Sequence, residues 1–221
     1  MQKIMAVIFI SVGLAVVSVP FFYHFYGSYK TNEMTERFEE NVRQEQMEDG
    51  EKEEEREAPG GSEDEALLSS GEVIGLIEIE ALRLKYPIVE GAEGKQLACG
   101  IGHIPGTGAI GGRGNCVLAG HRGSRYGTYF KHLNRLSIGD KVKVTDKKGC
   151  VYYYEVDSWE VVGAYDNSVK EQGEERELTL LTCEKKGTMR LIYHCSYKAQ
   201  KGGKGGTYGI FNPVERSKQP G

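Results

Sequence analysis

The segment 177–190 constrains the fold most strongly, because its pattern is typical of two strands joined by a short loop. It runs Glu-Leu-Thr-Leu-Leu-Thr-Cys-Glu-Lys-Lys-Gly-Thr-Met-Arg, so the first strand ends on Cys183 and the second begins on Arg190. A hairpin register that pairs these two residues brings their Cβ atoms within about 5 Å of each other. A thiol beside a fixed cation is half of a nucleophilic site, because the cation stabilises an oxyanion as it develops.

A candidate base lies at the end of a second apolar run, residues 115–121, which ends on His121. If strands 115–121 and 177–183 are neighbours and run parallel, His121 and Cys183 leave the sheet at the same C-terminal edge. The sequence therefore predicts that a thiol, an imidazole and a guanidinium meet at one edge of a sheet.

Other side chains compete for the roles of base and cation. His103, in a Gly-His-Ile-Pro-Gly loop, is the main rival of His121 because a loop at the mouth of the fold can approach the thiol. Three more histidines are expected beside the membrane, on the surface of a helix and within a strand: His24, His132 and His194. Four cations near the two motifs compete with Arg190: Arg122, Arg125, Lys185 and Lys186. The strand-end position favours His121, and the hairpin position favours Arg190.

The remaining four cysteines receive structural interpretations. Cys116 and Cys195 fall inside strand patterns and are expected in the core. Cys99 and Cys150 lie at strand margins, where they either pair as a disulfide or stay free. No C-x-x-C pair occurs, which argues against a structural zinc site.

The rest of residues 72–198 is also rich in strand patterns. Further strands are predicted at Val73–Glu80, Leu82–Val89, Lys141–Thr145, Cys150–Val162 and Arg190–Lys198. One helical stretch is predicted at about Thr128–Arg135, and the Gly/Pro clusters at 102–106 and 111–114 predict loops. Seven or eight strands with one or two short helices in about 130 residues predict a mostly-β class, as a single β-barrel domain.

The amino-terminal region predicts a membrane anchor, residues 1–27. Residues 4–23 carry no charge and are nearly all apolar, and twenty helical residues span about 30 Å, the thickness of a bilayer core. Because Lys3 precedes the span and an acidic segment follows it, the amino terminus is predicted to be cytoplasmic and the bulk of the chain extracellular. A cleaved secretory signal is the alternative, but bulky aromatic residues follow Pro20 in place of a small-residue cleavage site.

Charge divides the remainder of the chain. Residues 31–69 hold 15 acidic and 4 basic side chains, so segment 28–70 is predicted to be a solvated stalk, with a frayed helix at Thr35–Gln46. Residues 70–221 hold 22 basic and 17 acidic side chains. This small positive excess, without interleaved aromatic and basic residues, argues against a nucleic-acid partner.

Three elements of the sequence resemble the sortase family over about residues 72–198. The motif T-L-x-T-C is matched by Thr179-Leu180-Leu181-Thr182-Cys183, the downstream arginine by Arg190, and the G-H that closes an earlier strand by Gly120-His121. The residues after His121 are similar to the helix and turn of class C and class D sortases.

The resemblance implies an eight-stranded sortase-type barrel at 71–198, followed by a Gly/Lys-rich tail at 199–221. It implies a membrane-anchored cysteine transpeptidase that acts on surface proteins with a C-terminal LPxTG-like sorting signal and passes them to an amine of peptidoglycan or a pilin. In this interpretation Cys183 is the nucleophile, His121 the acid and base, and Arg190 the oxyanion ligand, while Leu181 and Thr182 bind substrate.

No metal or organic cofactor is required by this chemistry. Some sortases use calcium as an activator, but the glutamates near the relevant loop form no clear cluster in the sequence: Glu174, Glu175 and Glu177.

Subclass and activity leave alternatives open. The sequence carries neither the aspartate-proline-aromatic lid nor the second membrane segment usual in class C, and segment 163–176 is too short for the helical insertion of class B. A class D-like enzyme fits best, with class C-like as the alternative; the loop between Cys183 and Arg190 is shorter than in many sortases. A non-catalytic membrane-tethered binding module and a hydrolytic thiol protease are the competing functions.

Overall fold

The structure is a computed structural model that describes residues 71–123, 127–199 and 31–44, together with positions 5, 9, 10, 13, 14, 16–18 and 29. Eight strands close into a barrel in the order β1-β2-β3-β4-β7-β8-β6-β5, with β5 paired back to β1. The strands are β1 Val73–Ile79, β2 Leu84–Glu90, β3 Ile101–His103, β4 Gly114–Gly120, β5 Lys141–Asp146, β6 Val151–Gly163, β7 Arg176–Glu184 and β8 Met189–Tyr197. The predicted mostly-β class and closed eight-stranded barrel are confirmed.

Two of the strand pairs are parallel, β2 with β3 and β4 with β7, while the other six are antiparallel. Strand side chains alternate between the two faces of a sheet, and the apolar residues of β7 and β8 follow this period. Leu178 and Leu180 of β7, with Leu191, Tyr193 and Cys195 of β8, belong to the buried interior. The alternate residues of both strands therefore lie on the outer face of the barrel.

Short helices connect the strands: the 3₁₀ turns Glu80–Leu82, Leu133–Arg135, Ser168–Lys170 and Lys185–Gly187, and the α-helix Gly94–Leu97. The predicted helix at Thr128–Arg135 is wrong over most of its length, because only Leu133–Arg135 is helical. Tyr129 has a φ of 39°, which a right-handed helix does not allow. The apolar residues Phe130 and Leu133 of this segment are nevertheless fully buried. The hydrophobic pattern that suggested a helix therefore arises from a turn that packs against the core.

The loop predicted at 102–106 is also partly wrong, because β3 begins before it and includes Gly102 and His103. Glycine has a low strand propensity, which hides this strand in the sequence. The structure explains the residue: a Cβ atom on Gly102 would lie 2.5 Å from the carbonyl oxygen of Gly91.

Part of the predicted stalk packs against the barrel. Residues 31–44 are helical, and Thr31, Thr35 and Phe38, which share one helix face, are buried. On the same helix, Glu39 accepts from the Lys85 ammonium at 2.5 Å. This segment is therefore not solvated on all sides, in contrast to the prediction. Within the predicted stalk, residues 28, 30 and 45–70 lie outside the described residues.

None of the helices formed by the described residues is both long and apolar enough to cross a membrane. Most of the predicted span 4–23 lies outside those residues; the described positions within it are helical, and Phe9, Ile10 and Leu14 are exposed. The predicted tail also lies outside the described residues, apart from Ala199. Both segments stay predictions.

Candidate active site

The parallel pairing of β4 with β7 sets the rim of the barrel on which the predicted site residues lie. Gly120 pairs with Thr182, so His121 and Cys183, the residues that directly follow these two, lie at the same rim of the barrel. In the β7–β8 hairpin, Cys183 pairs directly with Arg190. The strand registers therefore place these three residues at one rim, and the joint action of their thiol, imidazole and guanidinium groups stays a prediction.

The motif residues around the thiol alternate between the two faces. Leu181 and Cys183 lie on the outer face and are half-buried, whereas Thr182 points inward and is 1% exposed. The Thr182 hydroxyl donates to the Gly120 carbonyl at 2.8 Å. The Thr182 side chain therefore fastens β7 to the end of β4, and a contact of this residue with substrate stays a prediction. Leu181 lies on the outer face with Cys183, and its contact with substrate also stays a prediction.

His121 is half-buried against an aromatic side chain. Its ring meets the ring of Tyr129 edge-on, with centroids 6.2 Å apart, and its carbonyl accepts from the Phe130 amide at 3.0 Å. The Tyr129 hydroxyl in turn donates to the Ala98 carbonyl at 2.6 Å, which fixes that ring. Partial burial lowers the pKa of the His121 imidazole, so its neutral form, a proton acceptor, predominates near neutral pH.

Arg190 is held by the hairpin backbone. Its Nη1 atom donates to the carbonyls of Gly187 and Met189 at 2.8 and 3.0 Å. These carbonyls are neutral, and no carboxylate pairs with Arg190 in the part of the chain that the structure describes. The guanidinium is therefore oriented without having its charge neutralised, as an oxyanion ligand requires.

Arg122, a rival cation, has a different environment. Its Nη1 atom forms an ion pair with Glu184 and donates to the carbonyl of Cys183 at 3.5 Å. Its charge is therefore compensated, unlike that of Arg190. Arg125 lies outside the described residues, and Lys185 and Lys186 are exposed in the turn after β7.

The rival histidines are engaged elsewhere. His103 is buried, with Nδ1 2.9 Å from a carboxylate oxygen of Glu90 and Nε2 3.0 Å from the Gly108 carbonyl. His194 contacts Glu160 through Nε2 at 3.2 Å. It lies four residues along β8 from Arg190, a separation of about 13 Å at the usual rise of a strand. His132 precedes the turn at Leu133–Arg135, and His24 lies outside the described residues.

All five cysteines are free thiols. Cys116 and Cys195 are each 2% exposed, as predicted, and burial raises the pKa of each thiol to about 12. Such thiols are almost entirely protonated near neutral pH and poorly nucleophilic. Cys99, Cys150 and Cys183 are half-buried, and of these Cys183 alone pairs with an arginine across a hairpin.

A polar network on the outer face was not predicted from the sequence. Asn115, 4% exposed, donates to the Val169 carbonyl at 3.0 Å and accepts from the Thr179 hydroxyl at 2.8 Å. The backbone of Asn115 also exchanges two hydrogen bonds with the amide of Gln172, at 2.9 and 3.1 Å. These contacts fasten segment 164–175 onto the face that carries Cys183. The sequence does contain a sign of this network: Asn115, a polar amide, opens an apolar run whose other positions are expected to be buried.

The described residues contain no group of three or more histidine, cysteine, aspartate or glutamate side chains able to hold a metal ion. Glu174, Glu175 and Glu177 are all among those residues.

The fold and the rim define a class of protein, a closed eight-stranded β-barrel in which a cysteine pairs with an arginine across a hairpin and a histidine follows the adjacent parallel strand. The family profile described as sortase domain matches residues 77–198, more than half of the chain. The chain therefore belongs to the sortase family, whose members are cysteine transpeptidases, and the predicted family is confirmed.

Individual relatives agree with this assignment. Sortase D of Bacillus subtilis (strain 168) is 27% identical over 190 residues, covering 83% of this chain and 89% of the relative. Sortase A of Bacillus anthracis is 32% identical over 126 residues, covering 53% and 55%. Among solved structures, a Clostridium perfringens sortase D5 transpeptidase aligns with a TM-score of 0.59 at 26% identity, covering 77% of this chain and 99% of that one.

Proposed function

We propose that this sortase is a membrane-anchored transpeptidase that cleaves an LPxTG-like sorting signal after its threonine and joins the acyl group to an amine of peptidoglycan or of a pilin. The observation that carries the proposal is the double register at the rim. Cys183 pairs with Arg190 in the hairpin, and His121 follows Gly120, the partner of Thr182, on the adjacent parallel strand.

Acylation uses all three side chains. His121 takes the thiol proton of Cys183, and the thiolate attacks the carbonyl carbon of the substrate threonine, so that a C–S bond forms. Arg190 and a backbone N–H next to Cys183 stabilise the oxyanion. When the oxyanion collapses, the C–N bond breaks, and the departing amine takes the proton from His121.

Transfer reverses these roles. The acceptor amine attacks the thioester carbonyl, and His121, again neutral, removes its extra proton. The C–S bond breaks, the thiolate of Cys183 departs, and a new amide bond has formed. The lowered pKa of His121 suits this step, since an imidazole that is neutral at the working pH accepts the proton readily.

The outer face supplies the surface for the sorting signal. Leu181 lies on that face two residues from Cys183, and Ala119 is its partner on β4. Segment 164–175, fastened by Asn115, borders the same face. A peptide that reaches the thiol lies along an apolar floor bordered by this segment, and a class D-like specificity is the form that we favour.

The proposed location is the cell membrane, with a cytoplasmic amino terminus and an extracellular barrel. It is supported by the uncharged segment 4–23, which is long enough to span a bilayer core of about 30 Å. Surface proteins with the sorting signal are the proposed donors, and the cell wall or a pilin supplies the acceptor.

Intact-mass spectrometry of the full-length chain in detergent tests the activity. We expect LPxTG-like or LPxTA-like peptides to add an acyl group to the protein, and the adduct to discharge when triglycine or a lysine peptide is added. Cys183→Ala should give no adduct, whereas Cys150→Ala, a matched change of another half-buried thiol, should retain it.

Two outcomes favour the competing functions. Discharge at the same rate with and without amine, with no transfer product, indicates a hydrolytic thiol protease. Absence of any adduct, together with alkylation of Cys183 no faster than that of Cys99 and Cys150, indicates a non-catalytic module.

A further inference from the structure

We propose that Arg122 and Glu184 form a clasp, an ion pair that holds His121 beside Cys183 and balances the charge around the thiol. The two residues act as positioning residues for the transfer reaction. This inference rests on the proposed function and deepens it.

The clasp joins the residues that directly follow the two proposed catalytic side chains. Arg122 follows His121 and Glu184 follows Cys183, and the guanidinium Nη1 of Arg122 contacts the Glu184 carboxylate. The same Nη1 atom donates to the carbonyl of Cys183 at 3.5 Å. The side chains are 31% and 25% exposed, so solvent screens the pair only in part.

The need for a clasp follows from where the sheet ends. The β4–β7 ladder stops at the pair Gly120 and Thr182, and the Thr182 hydroxyl makes its bond to Gly120 at this last rung. Beyond it, β7 continues to pair with β8 as far as Glu184. The chain after Gly120 has left the sheet, and Arg122 ties it back to β7 through its contacts with Cys183 and Glu184.

Charge balance is the second consequence. With the pair intact, the positive charge of Arg122 is compensated by Glu184, whereas Arg190, the partner of Cys183 across the hairpin, keeps its charge. Lys185 and Lys186 lie in the exposed turn after β7, where solvent screens their charges. Removing Arg122 leaves a carboxylate beside Cys183, which disfavours the thiolate. Removing Glu184 leaves a second cation, which favours the thiolate. The two single changes therefore act on the thiol in opposite directions, although both remove the tie.

The test compares Arg122→Gln, Glu184→Gln and the charge swap Arg122→Glu/Glu184→Arg in the full-length chain. The measurements are kcat/KM for transfer and the pH dependence of alkylation of Cys183 by iodoacetamide. Each single change should lower kcat/KM about tenfold through misplacement of His121. The alkylation profile should move about half a pH unit higher for Arg122→Gln and about the same amount lower for Glu184→Gln. The swap should recover transfer to within about threefold of the parent, since the tie re-forms in reverse.

A matched control is the Lys143–Glu78 pair, which joins β5 to β1 at 2.8 Å and is similarly exposed. Lys143→Gln should change neither measurement. Shifts of the alkylation profile in the same direction for both single variants, or a swap that transfers no better than they do, would overturn the clasp. Circular dichroism shows which variants are folded. If Arg122→Gln is not folded, Arg122→Lys replaces it, and because this change keeps the charge, its alkylation profile should match that of the parent.

The alkylation measurement is independent of the sorting signal. If the parent chain forms no thioacyl adduct, the proposed function fails. The opposite shifts of the two alkylation profiles still report whether the pair balances charge at Cys183.

Discussion

Residues that face the interior of the barrel alternate with residues of the outer face along the same strands, yet the same chemical group has a different environment in the interior and at the rim. Cys195 of β8 and Cys116 of β4 lie inside, 2% exposed, and burial raises their thiol pKa values to about 12. Cys183 ends on the outer face, half-buried and paired with Arg190. Strand parity and distance from the strand end, more than residue type, decide whether a thiol here is a packing group or a candidate nucleophile.

The two regions also differ in what holds them together. The interior depends on apolar packing around residues such as Tyr154, Ile77 and Leu180. The rim depends on hydrogen bonds and one ion pair, made by Thr182, Arg190 and Arg122. Substitutions in the interior should therefore mainly lower the free energy of unfolding, whereas substitutions at the rim should mainly lower kcat/KM for transfer.

Selective alkylation should show the largest contrast between the regions. At pH 8 in the native protein, Cys183 should react at least about 10³-fold faster than Cys116 and Cys195, because their thiolate fraction is negligible and they are buried. Peptide mapping after timed iodoacetamide treatment measures this. Denaturant should make all sites react at similar rates, and Cys183→Ala should remove the fast phase. Equal native rates would break the contrast.

Arg190→Lys tests whether the rim controls rate without controlling stability. In Arg190 one nitrogen, Nη1, donates to both backbone carbonyls and leaves the other N–H groups of the guanidinium for an oxyanion. Lysine has a single nitrogen for both tasks, so kcat/KM for transfer should fall about 10²-fold. The free energy of unfolding should change by less than about 0.5 kcal/mol. Arg176→Lys, at the opposite end of β7, is the matched control and should transfer normally. A stability loss as large as the rate loss would contradict the separation.

Gly120→Ala should break the comparison, because Gly120 belongs to both regions. A Cβ atom there would lie 2.6 Å from the Phe130 ring in the core, and the residue directly precedes His121. We expect unfolding to become easier by about 1–3 kcal/mol, with a loss of transfer activity. Gly163→Ala, where a Cβ atom meets nothing within 4 Å, is the control for denaturant unfolding. Unchanged stability in Gly120→Ala would show that the rim adapts independently of the core.

The titration of His121 should give the smallest effect. Because partial burial lowers its pKa, an NMR titration should give a midpoint below the ordinary value of 6.5. The unfolded state binds the His121 proton more readily than the folded state does. The stability that His121 contributes is therefore fully present above pH 6.5 and is lost as the pH falls through the folded-state pKa. Tyr129→Ala removes the covering ring and should move the midpoint upward. A midpoint at or above the ordinary value would contradict the burial.

Local patterns in the sequence were sufficient for much of the site. The alternation in β7 and β8 and the short loop between them predicted the hairpin and the pairing of Cys183 with Arg190. The apolar run that ends on His121 predicted β4, whereas the parallel pairing of β4 with β7 was a condition of the predicted site that only the structure supplied. These features depend on strand period and turn length, which neighbouring residues determine.

Contacts between distant segments were decided only by the tertiary structure. β3 escaped prediction because its glycine is required by the nearby Gly91 carbonyl, and residues 31–44 bury one face against a barrel that their acidic composition does not reveal. Motif membership does not state which face a side chain takes, so only the structure shows that the Thr182 side chain is buried and bonded to Gly120. The Asn115 network and the Arg122–Glu184 pair each join residues about 50 or more positions apart. Residue type and spacing determined the strands and the candidate nucleophile, whereas partners across the barrel depend on closure, which brings distant polar groups together to satisfy one another.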